Sequence, residues 1–367
     1  MAGSSFGTLF RITTWGETHG KGVGVVVDGC PAGLSLSEED IQQYLNRRKP
    51  GQSRFTTKRQ EGDQVEILSG IFEGRTTGTP ISMVVFNKDQ RSRDYSAIAN
   101  VFRPGHADYT FDQKYGFRDY RGGGRSSGRE TIARVAAGAV AAKVLKEMGI
   151  EVFAYTEAVG PYAIDPSRWM PEIRDENALY MPDADAAKKA EAYLEEKMRS
   201  LDSSGGVIGC RIQGMPAGIG EPVFEKLSAK LAQAICSIGA VKGFEIGDGF
   251  AAAKASGSDN NDSFCMEGEN VAKKTNHAGG ILGGMSDGSE IYFRAAFKPT
   301  PSIASAQETV TRDGEETVIQ IHGRHDPIIV PRAVVVVETM TAVTLLDLLL
   351  MNMSSRLDKI KDFYKKK

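Results

Sequence analysis

Hydrophobic residues recur along the chain in two patterns, short apolar runs typical of strands and longer stretches with helical spacing. The run at 22–28, Gly-Val-Gly-Val-Val-Val-Asp, predicts a buried strand, whereas the polar stretch 183–201 predicts an exposed helix. The predicted strands are 9–14, 22–28, 64–70, 81–86 and 206–213, and the predicted helices are 37–48, 131–149, 183–201, 222–236 and 334–362. Strands interspersed with helices indicate an α/β or α+β fold.

One unit of this pattern occurs twice. The strand at 22–28 leads into G-C-P-A-G-L at 29–34 and then a helix, and the strand at 206–213 leads into G-M-P-A-G-I at 214–219 and then a helix. The shared order predicts a duplicated unit inside one pseudo-symmetric fold, with a chance match of six residues as the alternative.

The composition favours an anionic ligand. With 367 residues and 41% hydrophobic content, the chain can bury a large core, as one big domain or two ordinary ones. The net charge is −2, yet 14 of the 23 arginines fall in residues 1–134. Arginine binds oxyanions through a planar fork, so this bias suits a concentrated anion site. The pI of about 6.3 argues against a broad nucleic-acid surface.

Cysteine usage and hydropathy suggest a reducing compartment. Cys30, Cys210, Cys236 and Cys265 are scattered, which indicates neither a zinc site nor a disulfide framework. The N-terminus lacks the pattern of a signal peptide, and no uncharged apolar stretch of about 18 residues occurs. We therefore expect a soluble, cytoplasmic protein with no membrane association and no metal.

The most informative stretch is R-G-G-G-R-S-S-G-R-E at 121–130, directly before the helix predicted at 131–149. Its glycines let backbone N–H groups approach a ligand, and Ser127 with Glu130 reads as a capping box. The positive end of the helix dipole and three arginines then favour a phosphate or carboxylate. The alternative is a flexible or RNA-binding arginine-glycine segment, although such segments usually come as repeats.

Two histidines lie beside glycines on loops. His19 lies in W-G-E-T-H-G and His106 in R-P-G-H-A-D-Y, settings that suit acid/base groups around a bound anion, with a plain surface-turn histidine as the alternative for His19. Six cations crowd residues 47–59, where Pro50 and Gly51 interrupt them. That run is either a solvated face or a lid that grips an anion.

Eight blocks of the sequence together resemble the chorismate synthase family. They are W-G-E-T-H-G (15–20), R-R-K-P-G-Q-S-R-F-T-T (47–57), D-Q-R-S-R-D-Y (89–95), F-R-P-G-H-A-D-Y-T (102–110), R-G-G-G-R-S-S-G-R-E-T (121–131), N-H-A-G-G-I-L-G-G (276–284), K-P-T-P-S (298–302) and G-R-H-D-P (323–327). They occur in the family's order and cover nearly the whole chain. Thr18 replaces a serine more usual in the family, which keeps the hydroxyl, and Gly128 stands where alanine is common.

The resemblance implies a fold, a reaction and a cofactor. The fold would be α+β, a single domain over residues 1–367 with helices sandwiched between antiparallel sheets. The reaction would be the net anti-1,4 elimination of phosphate and a ring proton from 5-enolpyruvylshikimate 3-phosphate, giving chorismate, the last step of the shikimate pathway to aromatic amino acids. The enzyme would be a lyase and a flavoprotein that needs reduced FMN without net redox change, and it would be a homotetramer.

The resemblance also assigns residues to roles. His19 would protonate the departing phosphate, His106 would stabilise the anionic reduced flavin, and Asp326 would accept a proton through flavin N5. The substrate contacts would be Thr18, Arg48, Arg54, Arg103 and Arg129. The FMN contacts would be Arg125, Ser126, Ser127, Gly239, Ala240, Gly283, Lys298, Pro299, Thr300, Pro301, Ser302 and Arg324. His322 and His325 receive no catalytic role.

Two other functions fit parts of the sequence. A flavin oxidoreductase would use the same FMN site to pass hydride from NADPH, with Arg48 and Arg54 contacting the NADP phosphate, although substrate binding by these arginines is the preferred interpretation. An RNA-binding module could be built on the arginine-glycine loop, and its binding would fall steeply with salt. The single loop and the acidic remainder of the chain argue against it.

Overall fold

The computed structural model describes residues 3–56, 62–88, 99–321 and 326–365. Its helices are α1 (Glu38–Arg48), α2 (Asp108–Tyr115), α3 (Thr131–Glu147), α4 (Ala184–Arg199), α5 (Leu227–Cys236), α6 (Gly257–Asn260), α7 (Val330–Asn352) and α8 (Leu357–Tyr364). Its strands are β1 (Ser5–Phe6), β2 (Arg11–Gly16), β3 (Gly22–Asp28), β4 (Val65–Ile67), β5 (Ile71–Phe72), β6 (Arg75–Thr76), β7 (Ile81–Phe86), β8 (Glu151–Val159), β9 (Tyr162–Ala163), β10 (Gly206–Gln213), β11 (Val241–Ile246), β12 (Phe264–Glu267), β13 (Asn270–Lys273), β14 (Ile281–Leu282), β15 (Met285–Ser286), β16 (Ile291–Phe297), β17 (Ala306–Val310) and β18 (Glu316–Gln320).

Two antiparallel sheets enclose a layer of helices. One sheet has the order β1-β2-β3-β7-β4 and the other β11-β16-β10-β8-β9. Helix α3 packs on β2, β3 and β7, and α7 packs on β8 and β10. The two helices also pack against each other, with α1 beside α3 and α5 beside α7. The predicted α+β sandwich, with helices between antiparallel sheets, is confirmed.

The predicted duplication is visible in the topology and in its turns. The order β2-β3-β7-β4 matches β8-β10-β16-β11, and each half inserts a short hairpin, β5–β6 or β14–β15. In the first half the Thr76 hydroxyl donates to Pro31 O and accepts from Leu34 N. In the second half the Ser286 hydroxyl donates to Pro216 O and accepts from Ile219 N. The two G-x-P-A-G turns are therefore held in the same way, by a hydroxyl from the hairpin.

Helices α3 and α7 form the centre of the core. A Cβ added to Gly138 on α3 would lie 2.3 Å from Thr339 Cβ on α7, so the glycine allows the two helices to approach closely. Helix α7 is long and apolar enough to cross a membrane, but 83% of its most apolar stretch is buried. A helix that is apolar on all sides and buried is typical of the centre of a large core.

Some boundaries differ from the predictions. Helix α5 begins at Leu227 rather than at 222, because the Leu227 N–H is bound to Gly284 O of the β14–β15 hairpin. The long apolar stretch starts at Val330, with a proline in its first turn, and ends at Asn352 before the separate α8. Helix α4 is not simply exposed, since Ala186, Ala187, Ala190 and Leu194 are buried. The strand predicted at 64–70 covers only Val65–Ile67.

Candidate functional site

A cavity of about 780 Å³ lies where corresponding helix ends of the two halves meet. The C-terminal end of α1 and the segment after α5 contribute Arg48 and Gly239, and the N-terminal ends of α3 and α7 contribute Arg129 and Arg332. The first turns of both central helices therefore face the cavity with their positive dipole ends. Its volume lies in the usual range for small-molecule sites.

The lining is rich in arginine. Among the described residues it contains six arginines, His106 and four carboxylates. The arginines are Arg48, Arg103, Arg118, Arg125, Arg129 and Arg332, and the acids are Glu17, Asp108, Asp119 and Asp326. The excess of positive charge and the two helix N-termini suit a ligand with several negative charges.

The glycine-rich loop forms one wall. Gly124 has a φ of 51°, and Ser126 N and its hydroxyl both donate to Gly123 O, which closes a tight turn. The Ser127 side chain accepts from Arg129 N and caps the following turn, as predicted. The second half of the predicted capping box is wrong, because the Glu130 carboxylate accepts from Thr14 Oγ1 at 2.9 Å and from Arg134 Nε at 2.8 Å instead.

Arg125 ties this loop to strand β2. Its guanidinium donates to Gly16 O at 3.1 Å and to Thr14 Oγ1 at 2.6 Å. It also lies 3.6 Å from Glu130. The side chain therefore borders the cavity while it fixes the loop to the sheet.

Arg48 and Arg129 are joined by one buried carboxylate. Asp63 Oδ2 accepts from Arg48 Nη1 at 3.1 Å, and Asp63 Oδ1 accepts from Arg129 Nη1 at 3.0 Å. Arg48 Nε and Nη2 further donate to Thr131 Oγ1 and Gly128 O at the start of α3. Burial, together with the charges of Arg332 and Arg129, lowers the pKa of Arg48, and Asp63 opposes this shift.

Asn87 holds the loop that carries His19. Its side-chain amide donates to the carbonyl oxygens of Glu17, Thr18 and Gly20 at 2.8 to 3.2 Å, and its Oδ1 accepts from Arg129 Nε. The loop is thereby connected to the same arginine that borders the cavity.

His19 lies against the glycine-rich loop. A Cβ added to Gly122 would be 2.9 Å from His19 Cδ2 and 3.3 Å from its Nε2. Gly122 and Thr18 both line the cavity. The structure therefore places His19 at the edge of the cavity, next to the loop predicted to cradle an anion.

Arg103 is held by a bidentate ion pair. Its Nε and Nη2 each lie 2.7 Å from the oxygens of Asp108, whose Oδ1 also lies 2.9 Å from Arg118 Nη1. Burial raises the pKa of Asp108, but the hydrogen bonds and charge of Arg103, with Arg118, hold it below its usual value. Both arginines are therefore fixed at the cavity wall.

His106 joins two distant predicted segments. Its Nε2 lies 2.7 Å from Ser302 Oγ, and the neighbouring Gly105 O accepts from Lys298 Nζ at 2.7 Å. Pro301 packs on Gly105 as well, since a Cβ there would be 2.8 Å from Pro301 Cβ. The 298–302 turn is thus packed on the loop that carries His106. Burial, with Lys242 nearby, lowers the pKa of Lys298.

Asp326 lies at the cavity in an ion pair with the first turn of α7. Arg332 Nη1 lies 2.6 Å from Asp326 Oδ2, and Arg332 Nε donates to Arg48 O. Arg332 therefore links Asp326 to the end of α1.

Three of the predicted site residues are seen neither in the cavity lining nor directly behind it. Arg54 instead lies 2.9 and 2.8 Å from Glu191 and Glu195 of α4, with 59% of its side chain exposed. Gly283 lies in the β14–β15 hairpin and does not line the cavity. Arg324, with His322 and His325 and the block at 89–95, lies outside the described residues.

The other residues predicted to contact FMN either line the cavity or pack behind residues that line it. Arg125, Ser126, Ser127, Gly239, Thr300 and Ser302 line the cavity. Ala240 lies just behind Gly239, with a φ of 74° and its carbonyl bound to Lys298 N. Pro299 packs on Gly205. The FMN-binding roles of these residues stay predictions.

Several residues in the cavity lining or behind it could not be identified from the sequence. Asp63, Asn87, Arg118 and Arg332 are placed by contacts between distant segments, which no local pattern reveals. The apolar side of the lining was missed as well; it consists of Phe111, Tyr115, Phe117, Ile238, Ile329, Ala333 and Val336.

The residues present fit a flavin mononucleotide. The hydroxyl oxygens of Thr18 and Thr300 are buried at the cavity without a hydrogen-bond partner in the part of the chain that the structure describes. Such groups are ordinarily satisfied by a ligand or water. Apolar side chains for a planar ring and backbone and hydroxyl donors for a phosphate are both available. Within the described ranges, no cluster of three or more metal-binding side chains occurs.

The comparisons with known proteins agree over the whole chain. The family model described as chorismate synthase matches residues 10–350. A chorismate synthase of Agathobacter rectalis is 66% identical, with 100% of both chains covered, and one of Cytophaga hutchinsonii is 52% identical, with 97% and 99% covered. A crystal structure of chorismate synthase superimposes with a TM-score of 0.76 at 31% identity, covering 97% of this chain and 96% of the other.

The fold, the arginine-lined cavity and these matches define a carbon–oxygen lyase that acts on a phosphate ester. The chain belongs to the chorismate synthase family. Its reaction is the elimination of phosphate from 5-enolpyruvylshikimate 3-phosphate to give chorismate, the last step of the shikimate pathway, and its cofactor is reduced FMN.

Proposed function

We propose that the arginine-lined cavity is where this elimination takes place, with the substrate and reduced FMN bound side by side. The observation that carries the proposal is the convergence of six arginines, His106 and Asp326 on one cavity at the N-terminal ends of α3 and α7. The substrate carries a phosphate and two carboxylates, and this lining offers the matching donors.

Arg48, Arg103 and Arg129 bind the anionic groups of the substrate. Their guanidinium groups are fixed by buried carboxylates before the ligand arrives, so little side-chain entropy is lost on binding. Thr18 adds a buried hydroxyl at the same wall.

His19 donates a proton to the departing phosphate oxygen, which makes phosphate a better leaving group. Reduced FMN, when bound, supplies electron density that assists the loss of phosphate and is recovered as the ring proton leaves. His106, held by Ser302, would stabilise the anionic reduced flavin, and Asp326, held by Arg332, would take up the ring proton. The proton taken from the ring replaces the one given to the phosphate, so the reaction releases one hydrogen phosphate for each chorismate and no net proton.

An anaerobic assay tests this proposal. The protein is mixed with dithionite-reduced FMN and 5-enolpyruvylshikimate 3-phosphate, and chorismate absorbance and phosphate release are followed. Equimolar products, with the flavin still reduced at the end, are expected. His106→Ala and Asp326→Asn should lose most activity, whereas His277→Ala and Asp248→Asn, at a pair of side chains 2.7 Å apart that does not line the cavity, should keep it.

Adding NADPH to the assay distinguishes the lyase from a flavin oxidoreductase. By family resemblance, Arg48 and Arg54 are candidates to bind the phosphate of NADP. The Arg54 side chain is 59% exposed, so a nucleotide could reach it. Steady NADPH oxidation without the shikimate ester would favour an oxidoreductase. No product from the wild type while it still binds FMN would remove the lyase assignment for this cavity.

We also infer a cytoplasmic homotetramer. The family resemblance suggests the tetramer, and exposed apolar side chains such as Phe72, Phe224 and Phe250 are compatible with subunit contacts. The four cysteines are all free, which is compatible with a reducing compartment. Light scattering of the purified protein measures the assembly, and a monomer at micromolar concentration would contradict it.

A further inference from the structure

Asp63 is a buried acid that contacts two arginines of the cavity lining. Its side chain is completely buried, and its carboxylate bridges Arg48 and Arg129, which both line the cavity. Its φ of 43° lies in the left-handed region, which aspartate and asparagine adopt more readily than most residues. The backbone at Asp63 is therefore in a conformation that few residue types other than glycine, asparagine and aspartate adopt readily.

The bridge fixes both guanidinium groups in their positions. Arg48 is also bound to Gly128 of the loop before α3 and to Thr131, the first residue of α3, and Arg129 is bound to Asn87 of the segment after β7. Asp63 is the group that connects these two sets of contacts. Without it, the Arg48 and Arg129 guanidinium groups would lose their shared partner, and their separation would be less constrained.

The bridge also offsets like charge. Three arginines lie near one another at this wall, because Arg332 donates to Arg48 O and its charge acts on Arg48. Asp63 supplies the buried negative charge between Arg48 and Arg129. Buried charges are costly unless they are paired, so the carboxylate makes it possible to keep both guanidinium groups buried at the cavity wall.

We propose that Asp63 is a positioning residue for the elimination, because it holds Arg48 and Arg129 together as a single binding unit for the anionic groups of the substrate. The inference rests on the proposed function, which assigns these two arginines to the substrate. Asp63 itself does not contact the ligand.

The chain contains a matched control. Glu338 on α7 is likewise buried and bridges two arginines, Arg47 at 2.6 Å and Arg174 at 3.2 Å. None of these three residues lines the cavity. Glu338→Gln and Asp63→Asn both remove one buried negative charge from between two arginines, so a purely structural effect should be similar in both.

The experiment compares Asp63→Asn with Glu338→Gln in the full-length protein. The asparagine keeps the shape and the left-handed preference, so the change isolates the charge. We measure the substrate KM and kcat with reduced FMN, the substrate dissociation constant with oxidised FMN present, and the thermal unfolding midpoint. Asp63→Asn should raise KM and the dissociation constant by about 10- to 100-fold, as expected for loss of charge-assisted hydrogen bonds.

Glu338→Gln should lower the unfolding midpoint, because it breaks a buried ion pair, but should leave KM and the dissociation constant within about twofold, because none of Glu338, Arg47 and Arg174 lines the cavity. In an Arg48→Gln background, Asp63→Asn should weaken binding by much less than in the wild type, because the bridge is already broken. Substrate affinity of Asp63→Asn no lower than that of Glu338→Gln would overturn the inference, and so would additive losses in the double variant.

If Asp63→Asn does not fold, Asp63→Glu answers the same question. The charge is kept but the carboxylate is displaced by one methylene, so KM should still rise severalfold, and an unchanged KM would overturn the inference. Wild-type activity is measured first. A wild type that makes no chorismate contradicts the proposed function, whereas an active wild type with an unaffected Asp63 variant removes only the role of Asp63.

Discussion

His106 Nε2 lies 2.7 Å from Ser302 Oγ, a contact between residues 196 positions apart. The hydroxyl joins the imidazole to the 298–302 turn, and both residues line the cavity. The orientation of the ring at the cavity wall is therefore coupled to the turn that the family resemblance assigns to FMN.

Ser302→Ala should lower kcat/KM by about tenfold, because the lost hydrogen bond allows the His106 ring to leave its position. The unfolding free energy should change by about 1 kcal/mol. Steady-state kinetics and a urea titration measure the two effects. Ser305→Ala removes a hydroxyl that binds Leu201 O nearby and serves as the control. Equal kinetic losses in both variants would contradict the coupling.

Gly122→Ala should impair the reaction with little loss of stability. The added methyl would lie 2.9 Å from His19 Cδ2, so the ring must shift, whereas Gly122 does not have a left-handed φ that alanine would strain. Displacing a reacting group by about 1 Å can cost roughly 100-fold in rate. We expect a fall of about 10- to 100-fold in kcat. Gly257→Ala, where the methyl meets no atom within 4 Å, should be neutral; a neutral Gly122→Ala would argue against His19 as the proton donor.

Replacing arginine by lysine at two positions distinguishes an arginine of the cavity lining from one on the surface. Arg129→Lys loses the planar fork that contacts Asp63 and Asn87, so substrate KM should rise by about tenfold or more. Arg54→Lys keeps a cation beside Glu191 and Glu195, so KM should stay within about twofold. A tenfold rise for Arg54→Lys would show that Arg54 leaves α4 and binds a ligand, as the family resemblance implies.

The sequence was most informative where local pattern and function coincide. The duplicated G-x-P-A-G turn predicted two similar halves, because the turn, the preceding strand and the following helix are all encoded within about 30 residues. The glycine-rich loop and the loop of His106 could likewise be identified as short motifs. The fold class followed from the same elements.

Residues that act through tertiary contacts could not be found in this way. Asp63 lies in an ordinary polar segment, and its role depends on Arg129, 66 positions later. Arg332 is one cation in an apolar helix until the fold places it beside Asp326. Arg54 illustrates the same limit of local pattern: cation density suggested either a solvated face or a binding loop, and only the fold places the side chain beside Glu191 and Glu195 of α4, while its role in binding stays a prediction.

The close approach of α3 and α7 predicts that replacing Gly138 with a large residue strongly lowers the free energy of unfolding. Gly138→Leu would place side-chain atoms inside Thr339, whose Cβ, carbonyl carbon and oxygen all lie within 2.7 Å of a Cβ at that position. We expect a loss of at least about 3 kcal/mol, since neither helix can move away without unpacking from its own sheet. Denaturant unfolding measures it. Lys146→Leu on the exposed side of α3 should change stability by about 0.5 kcal/mol or less, and similar values for both would contradict the close crossing.

The lowered pKa of Asp183 predicts how the stability of the fold depends on pH. Burial alone would raise its pKa, but hydrogen bonds from Arg168 and from the backbone N–H groups of Asp165 and Ala186 lower it to about 2, from an ordinary value of 3.8. A lowered pKa means that the folded state favours the carboxylate, so the stabilisation is fully present above about pH 4 to 5 and is lost as the pH falls through 2. Asp183→Asn should therefore unfold more easily than the wild type at pH 7, and the difference should shrink below pH 4. Denaturant midpoints at pH 7, 4 and 3 test this, with the exposed Asp185→Asn as the control. A difference that stays constant over that range would mean that the cap acts through its shape and not through its charge.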